Sequence, residues 1–328
     1  MAKGFVRRDV LAGGAAAAVG GGCGRPPRLT ARARAVAEVA TVDGDPLSVL
    51  PDEALMVSHT RVDVALASGL GNLVGQLLRG LVPTSVASGL VHERDIRHLY
   101  SAAYAMQGAD VIAVVQGTFD PVAIQAAASD PGEAAPLVRT PYGPFLMHTR
   151  GNVGFTVLTP FTLVAGTETA LRRTLDRLRY PRPRTNEASS PAGSPWVREL
   201  IGPARQDAAF AVAGDVDRSG VIEAAAGRLP FVVGLQRVRV LGNFRPPGVN
   251  LVGTLRYADE DAARRGASGL SQARQLTYLA SLFSNFGLGG QMPPLEVTTQ
   301  GRDVAFATEV DTPTANTIMG LMVRALVA

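Results

Sequence analysis

Apolar positions along the chain fall into short alternating runs and longer helical runs, and this order occurs twice. Ala54-Leu55-Met56-Val57 opens a strand that reaches Thr60, and Leu66, Leu70, Leu73, Leu77 and Leu81 then recur at helical spacing, predicting a helix over Val62–Val82. Gly69, Gly71, Gly75 and Gly80 weaken that helix, each by up to about 1 kcal/mol relative to Ala, but allow close backbone packing. Ile96–Met106 and Asp110–Phe119 read as strands turning at Gln107-Gly108-Ala109. Asp120-Pro121 supplies an N-cap and a first-turn proline for a helix to about Ala128. Phe145–Arg150 and Val153–Leu158 form a hairpin around Gly151-Asn152, and Phe161–Ala165 is a further strand. Thr167–Tyr180 is a helix with Leu171, Leu175 and Leu178 inward and Arg172, Arg173, Arg177 and Arg179 outward.

Prolines, serines and arginines interrupt the pattern from Tyr180 to Pro195, where Trp196 and Leu200 dock the end of a connector. The order then returns: strand Ala208–Val216, helix Arg218–Leu229, strands Leu235–Phe244 and Val249–Tyr257, helix Asp259–Phe283, hairpin Leu295–Gln300 with Asp303–Val310, and a closing helix Thr312–Ala328. Thr149–Thr156 also resembles Thr299–Thr308, each with Thr-x-Gly at a turn and Phe in the strand after it. The expected fold is α+β, with two related halves, each a mainly antiparallel sheet with helices packed on one face. The expected divisions are a leader over 1–22, a tether over 23–50, a first half over 51–180, a connector over 181–206 and a second half over 207–328.

The start of the chain has a different character. Lys3, Arg7 and Arg8 precede a weakly apolar run, Val10–Val19, too short to span a bilayer. Arg7-Arg8-Asp9-Val10-Leu11 resembles a bacterial twin-arginine export signal, with Val6 where Ser or Thr is usual. Val19-Gly20-Gly21-Gly22-Cys23 resembles a lipobox, with Gly20 where a larger apolar residue is usual. Cys23 is the only cysteine, so the fold cannot rest on an internal disulfide. Lipidation there would supply at least two acyl chains, enough for stable anchoring. With its opening Leu50-Pro51-Asp52-Glu53-Ala54 and its strand pairs running into Ala/Arg-rich helices, the chain resembles predicted lipoproteins of GC-rich bacteria. That resemblance implies an exported, membrane-anchored envelope protein and carries no catalytic residues.

Composition narrows the rest. Hydrophobic residues at 46% and charged residues at 18% support a folded core. The formal charge is +4, of which Lys3, Arg7 and Arg8 against Asp9 in the leader supply half. No arginine cluster is interleaved with aromatics, which argues against nucleic acid as a partner.

Candidate chemistry is sparse. There is no Gly-x-Ser-x-Gly elbow, and Cys23 is unavailable as a nucleophile once acylated, which makes a hydrolase the least favoured class. His92, Glu93, Asp95 and His98 form the best polar cluster, but their spacing is not that of a zinc site and Arg94 and Arg97 would repel a cation. The cluster reads as a solvated lead-in to a strand. Asp215-Val216-Asp217 lacks the glycine and distant Glu of a calcium loop and reads as a helix cap. Gly69–Gly75 lies inside a helical pattern and has no following Lys, so it does not read as a phosphate loop. No catalytic, metal or cofactor site is assigned.

Two features could bind. The closing helix, with Ile318, Met319, Leu321, Met322, Val323, Leu326 and Val327, is apolar nearly all round. Phe283–Pro294 could line an apolar groove between the halves. The leading expectation is a non-catalytic accessory or scaffolding protein, held to the envelope membrane through Cys23 and meeting an envelope partner. The alternative is a carrier of an apolar or lipid-like ligand between the halves.

Overall fold

A computed structural model describes residues 42–84, 88–105, 110–127, 137–180, 191, 193–204, 208–217, 230–246, 248–273 and 295–316. A 3-10 turn, Pro46–Val49, leads to β1 (Met56–Arg61), α1 (Val62–Leu66), α2 (Gly71–Leu81), α3 (His92–Asp95), β2 (Ile96–Ala105) and β3 (Asp110–Gly117). The first half continues with α4 (Pro121–Ala127), β4 (Val138–Tyr142), β5 (Phe145–Arg150), β6 (Val153–Val157), β7 (Thr162–Thr167) and α5 (Glu168–Arg179). The second contains α6 (Pro195–Ala204), β8 (Phe210–Asp215), β9 (Leu235–Arg245), β10 (Gly248–Tyr257), α7 (Glu260–Ala273), β11 (Leu295–Gln300) and β12 (Asp303–Asp311). A helical turn over 312–316 follows.

The described strands form one twelve-stranded sheet, in the order β11-β12-β10-β9-β8-β1-β2-β3-β7-β6-β5-β4. Every pairing is antiparallel. The halves meet where β1 pairs with β8, with His59 opposite Ala211. Outward from that seam the orders are β1-β2-β3-β7-β6 and β8-β9-β10-β12-β11. The same path is thus traced twice, and the first half adds the β5-β4 hairpin beyond it. The fold is α+β with two related halves. By sheet position β11–β12 corresponds to β6–β7, not to β5–β6. The likeness of Thr149–Thr156 to Thr299–Thr308 is therefore one of turn chemistry, since Gly151 and Gly301 both take left-handed φ, 60° and 56°.

Successive residues of a strand face opposite sides, so neighbouring residues of β3 belong to different cores. Ala113 and Val115 pack with Val62, Ala65, Val74 and Leu78 of α1 and α2 and with Ile124 of α4. Ile112 and Val114 pack with Leu171 and Leu175 of α5 and with Val197 and Ile201 of α6. In the second half α7 places Ala262 and Ala263 against Leu255, Tyr257 and Val304, on the α2 side of the sheet. One face therefore carries helices in both halves, and α5 and α6 add a second layer on the other. The uninterrupted apolar runs of β3 and β7 suit burial on both faces.

Local signals explain most boundaries. Asp120 caps α4, its Oδ1 accepting the Val122 and Ala123 amides at 3.0 Å. Asp259 caps α7 through the Ala262 amide at 2.7 Å. The single helix expected over Val62–Val82 is two, because Ser68 takes over the backbone there. Its hydroxyl donates to the Ala65 carbonyl at 2.6 Å and accepts the Leu70 amide at 3.1 Å. Gly71 begins the next helix against the Leu66 carbonyl, where a Cβ would fall 2.2 Å from oxygen.

The tether expected over 23–50 ends earlier. Val42, Leu47, Val49 and Leu50 are buried in the core under α5 and α6. In the connector expected over 181–206, α6 buries Val197, Leu200 and Ile201. The expected helix Arg218–Leu229 lies outside the described residues, as do the last part of Asp259–Phe283 and most of Thr312–Ala328.

Candidate functional site

The polar run His92–His98 is drawn apart into structural contacts. His92 is 6% exposed, and its Nε2 lies 2.8 Å from the Val82 carbonyl. Glu93 pairs with Arg79 of α2. Asp95 pairs with Arg94 at 2.6 Å, and this guanidinium, with the Val91 amide, holds the carboxyl below its usual range. Only Glu93, Arg94 and Arg97 are solvated as expected; His92 turns inward because α3 lies over the core. His98 faces the opposite side of the sheet, its Nδ1 3.2 Å from Nε2 of His59. His59 stacks on Tyr100 at 4.5 Å, and the two rings are 0% and 2% exposed, closed to any substrate. Among the described residues no three His, Cys, Asp or Glu side chains come close enough to hold a metal.

His148 is the other buried imidazole, 1% exposed and stacked on Phe155 at 5.0 Å. Burial, and then the charge of Arg139 across the β4–β5 pair, lower its pKa to about 4. Above pH ~6.5 the ring is neutral whether the chain is folded or not, and costs nothing. Between that pH and about 4 only the unfolded chain takes up the proton, so stability falls by about 1.4 kcal/mol per pH unit. His148→Leu should flatten this slope. Urea midpoints of both proteins at neutral pH and near the lower limit of this window check it; parallel losses would contradict it.

Asp215 ends β8, its amide donating to the Leu55 carbonyl at 2.8 Å, and the helix it was expected to cap lies outside the described residues. In Gly69–Gly75 the glycines serve packing: a Cβ on Gly69 would meet Thr312, and one on Gly75 would meet Glu93.

Two concavities stand out among the described residues. A groove of about 430 Å³ opens at the junction of the halves, beside the start of α6 and over β9 and β10. Arg237, Arg239 and Arg256 line it, and so do Glu53, Glu199 and Asp215. Arg239 bonds Glu199 at 2.6 Å, and Arg237 lies over the Trp196 ring at 6.0 Å. Val57, Pro195 and Trp196 line it too, so its wall is mixed, with the charges balanced and Arg237 and Arg239 engaged. A shallower hollow of about 470 Å³ lies on the adjoining sheet face, over Leu241, Val252, Ala305 and Ala307. The segment Phe283–Pro294, expected to line an apolar groove, lies outside the described residues, as do residues 317–328, Arg7, Arg8 and Cys23.

The most specific polar site is one the sequence did not single out. Asp43 stands just after the first described residue. Its Oδ1 accepts the hydroxyls of Thr159 at 2.7 Å and Thr162 at 2.6 Å, and its carbonyl accepts Gln116 Nε2 at 2.9 Å. The Thr159 hydroxyl in turn accepts the Phe161 and Thr162 amides, closing the β6–β7 turn. Asp43 is thus bolted to one end of the sheet.

Comparison with solved structures bears on this architecture. The chain is similar in fold to TP0453. Crystal form I superposes with a TM-score of 0.51 at 13% identity, covering 84% of this chain and 97% of that one. Form III gives 0.51 over 85% and 98%, and form IV 0.50 over 85% and 96%, both at 13% identity. At this identity the likeness to TP0453 shows the fold alone. No family model matches the chain, and no curated protein matches it.

Proposed function

We propose that the protein is exported, acylated at Cys23 and held at the envelope membrane, where it works as a non-catalytic accessory or scaffolding protein. The observation that carries this reading is the start of the chain, where Arg7-Arg8 and then Cys23 stand in an export and lipidation pattern. The described body begins at Val42, with eighteen residues between it and Cys23, and Asp43 fixes that beginning to the sheet through Thr159 and Thr162. The polar run His92–His98 is spent on structural bonds, with His92 on Val82 and Asp95 on Arg94. The charge-balanced groove at the junction favours the accessory role over carriage of an apolar ligand.

Replacement of Cys23 by Ser tests the anchor. The parent protein is expected in the membrane fraction, and the variant is expected to shift largely to the soluble envelope fraction, as loss of stable acyl anchoring requires. Unchanged partitioning would contradict the reading. Among the described residues no helix is long and apolar enough to cross a membrane.

A further inference from the structure

One row of charged side chains crosses four strands beside the junction of the halves. Asp215 at the end of β8 lies opposite Arg237 of β9, and Arg237 lies opposite Arg256 of β10. Arg256 in turn faces Asp303 of β12, which it bonds at 3.3 Å. Asp215, Arg237 and Arg256 line the groove of about 430 Å³ beside α6, and so does Glu53. Glu53 stands on the Asp215 side, because the Asp215 amide donates to the carbonyl of Leu55, two residues along the chain. The groove therefore has an acidic pole, Glu53 and Asp215, and a basic pole, Arg237 and Arg256.

The bonds within the protein leave both poles open. Like charges directly opposite on paired strands repel, yet Arg237 and Arg256 are so placed. Among the described residues Arg237, Asp215 and Glu53 have no ion-pair partner, and Arg237 has the Trp196 ring at 6.0 Å. The side chains of Arg256 and Asp303 are 45% and 40% exposed, so Arg256 can turn to another anion at little cost. Glu53 is the one non-glycine among the described residues with a left-handed φ, 65°. Such strain persists only where the surroundings impose it, and it gathers at ligand clamps. Trp196, half-buried in the first turn of α6, gives the groove a flat apolar wall beside the arginines.

We propose that this groove binds a small zwitterion, an amine joined within a few bonds to a carboxylate or phosphate. Arg237 and Arg256 take the anionic group between their planar forks, which removes their mutual repulsion. Glu53 and Asp215 take the ammonium, about one strand spacing, ~4.8 Å, away. An apolar body on the ligand lies against Trp196. A plain anion or a plain cation leaves one pole unpaired, so neither fits as well. The groove's volume is that of a small-molecule site. The proposal does not depend on the anchor at Cys23.

Trp196 is the only tryptophan of the chain, so its fluorescence reports on this groove. The full-length protein is titrated with phenylalanine and with phosphoethanolamine. Each is compared with its halves: hydrocinnamate and phenethylamine for the first, inorganic phosphate and ethanolamine for the second. At least one zwitterion should change the fluorescence saturably and bind about tenfold or more tighter than either of its halves. Saturation by phenylalanine assigns the ligand to amino acids or peptide ends, and saturation by phosphoethanolamine alone assigns it to headgroups. Arg237→Gln, at an exposed position, should weaken that binding about tenfold or more with an unchanged urea midpoint. No saturable change with either zwitterion up to about 10 mM would overturn the proposal. So would a half that binds as tightly as its zwitterion, or a folded Arg237→Gln variant that binds as the parent does. If that variant does not fold, the comparison with the halves on the parent protein decides.

Discussion

Gly166→Val is expected to destabilise the protein by about 3 kcal/mol. Gly166 lies on β7 opposite Ile112 of β3, in the middle of the first half's sheet. A Cβ there would fall 2.2 Å from the Val111 carbonyl oxygen and 2.8 Å from the Ile112 Cα. Both are backbone atoms, so no rotamer change can relieve the clash. The strand must move away from β3, although every residue of β7 from Thr162 to Gly166 is buried. The shift would also pull Thr167 from Asp110, whose carboxylate it bonds at 3.0 Å, just where α5 begins. A lower urea midpoint with an unchanged slope is the expected signature. A loss below about 1 kcal/mol would mean that β3 and β7 are not held as closely as described.

Asp43→Ala is expected to cost nearly as much, about 3 kcal/mol, for a different reason. The carboxylate is the acceptor for two threonine hydroxyls, and Thr162 is 0% exposed. Hydrogen bonds to a charged acceptor are worth about 1.5–3 kcal/mol each, and a buried hydroxyl left without its partner adds a desolvation cost. Asp43→Asn keeps one oxygen to accept and should recover more than half of the loss. The alanine variant should also expose the segment around Val42–Leu50 to proteolysis before the sheet unfolds, since that segment loses its bolt to the β6–β7 turn. Equal stability of the alanine and asparagine variants would show that the hydroxyls do not depend on the carboxylate.

The repeated order of strands and helices was readable because each element carries its own period. Leu171 and Leu175 face inward from α5 as their spacing predicts, and Asp120 caps α4 as its chemistry predicts. β4 was not readable. Its Arg139-Thr140-Pro141 looks like a turn, and proline is tolerated there because β4 is an edge strand with one neighbour to satisfy. The strand expected from Phe161 begins at Thr162, because Thr159 and Thr162 close a turn that leaves Phe161 outside. The strand orders that reveal the duplication depend on which hairpin lies next to which, and no local period records that.

The site was harder to read than the fold. Asp43 meets Thr159 and Thr162 across more than a hundred residues, and nothing near Asp43 in the chain marks it. Its neighbours Val42, Leu47, Val49 and Leu50 did carry a signal, since four apolar residues in a supposedly solvated tether argue for burial. The likeness of Thr149–Thr156 to Thr299–Thr308 did not mark the repeat, because it matches hairpins at different positions in the sheet. Two left-handed glycine turns produce that likeness wherever they occur.

The central claim is that Cys23 is acylated and that its acyl chains hold the protein at the envelope membrane. The most direct measurement is the intact mass of the protein extracted from its own membranes. The account predicts a chain that begins at Cys23 and carries the mass of its acyl chains. A chain that retains the residues before Cys23, or one that begins elsewhere without added acyl mass, would contradict it.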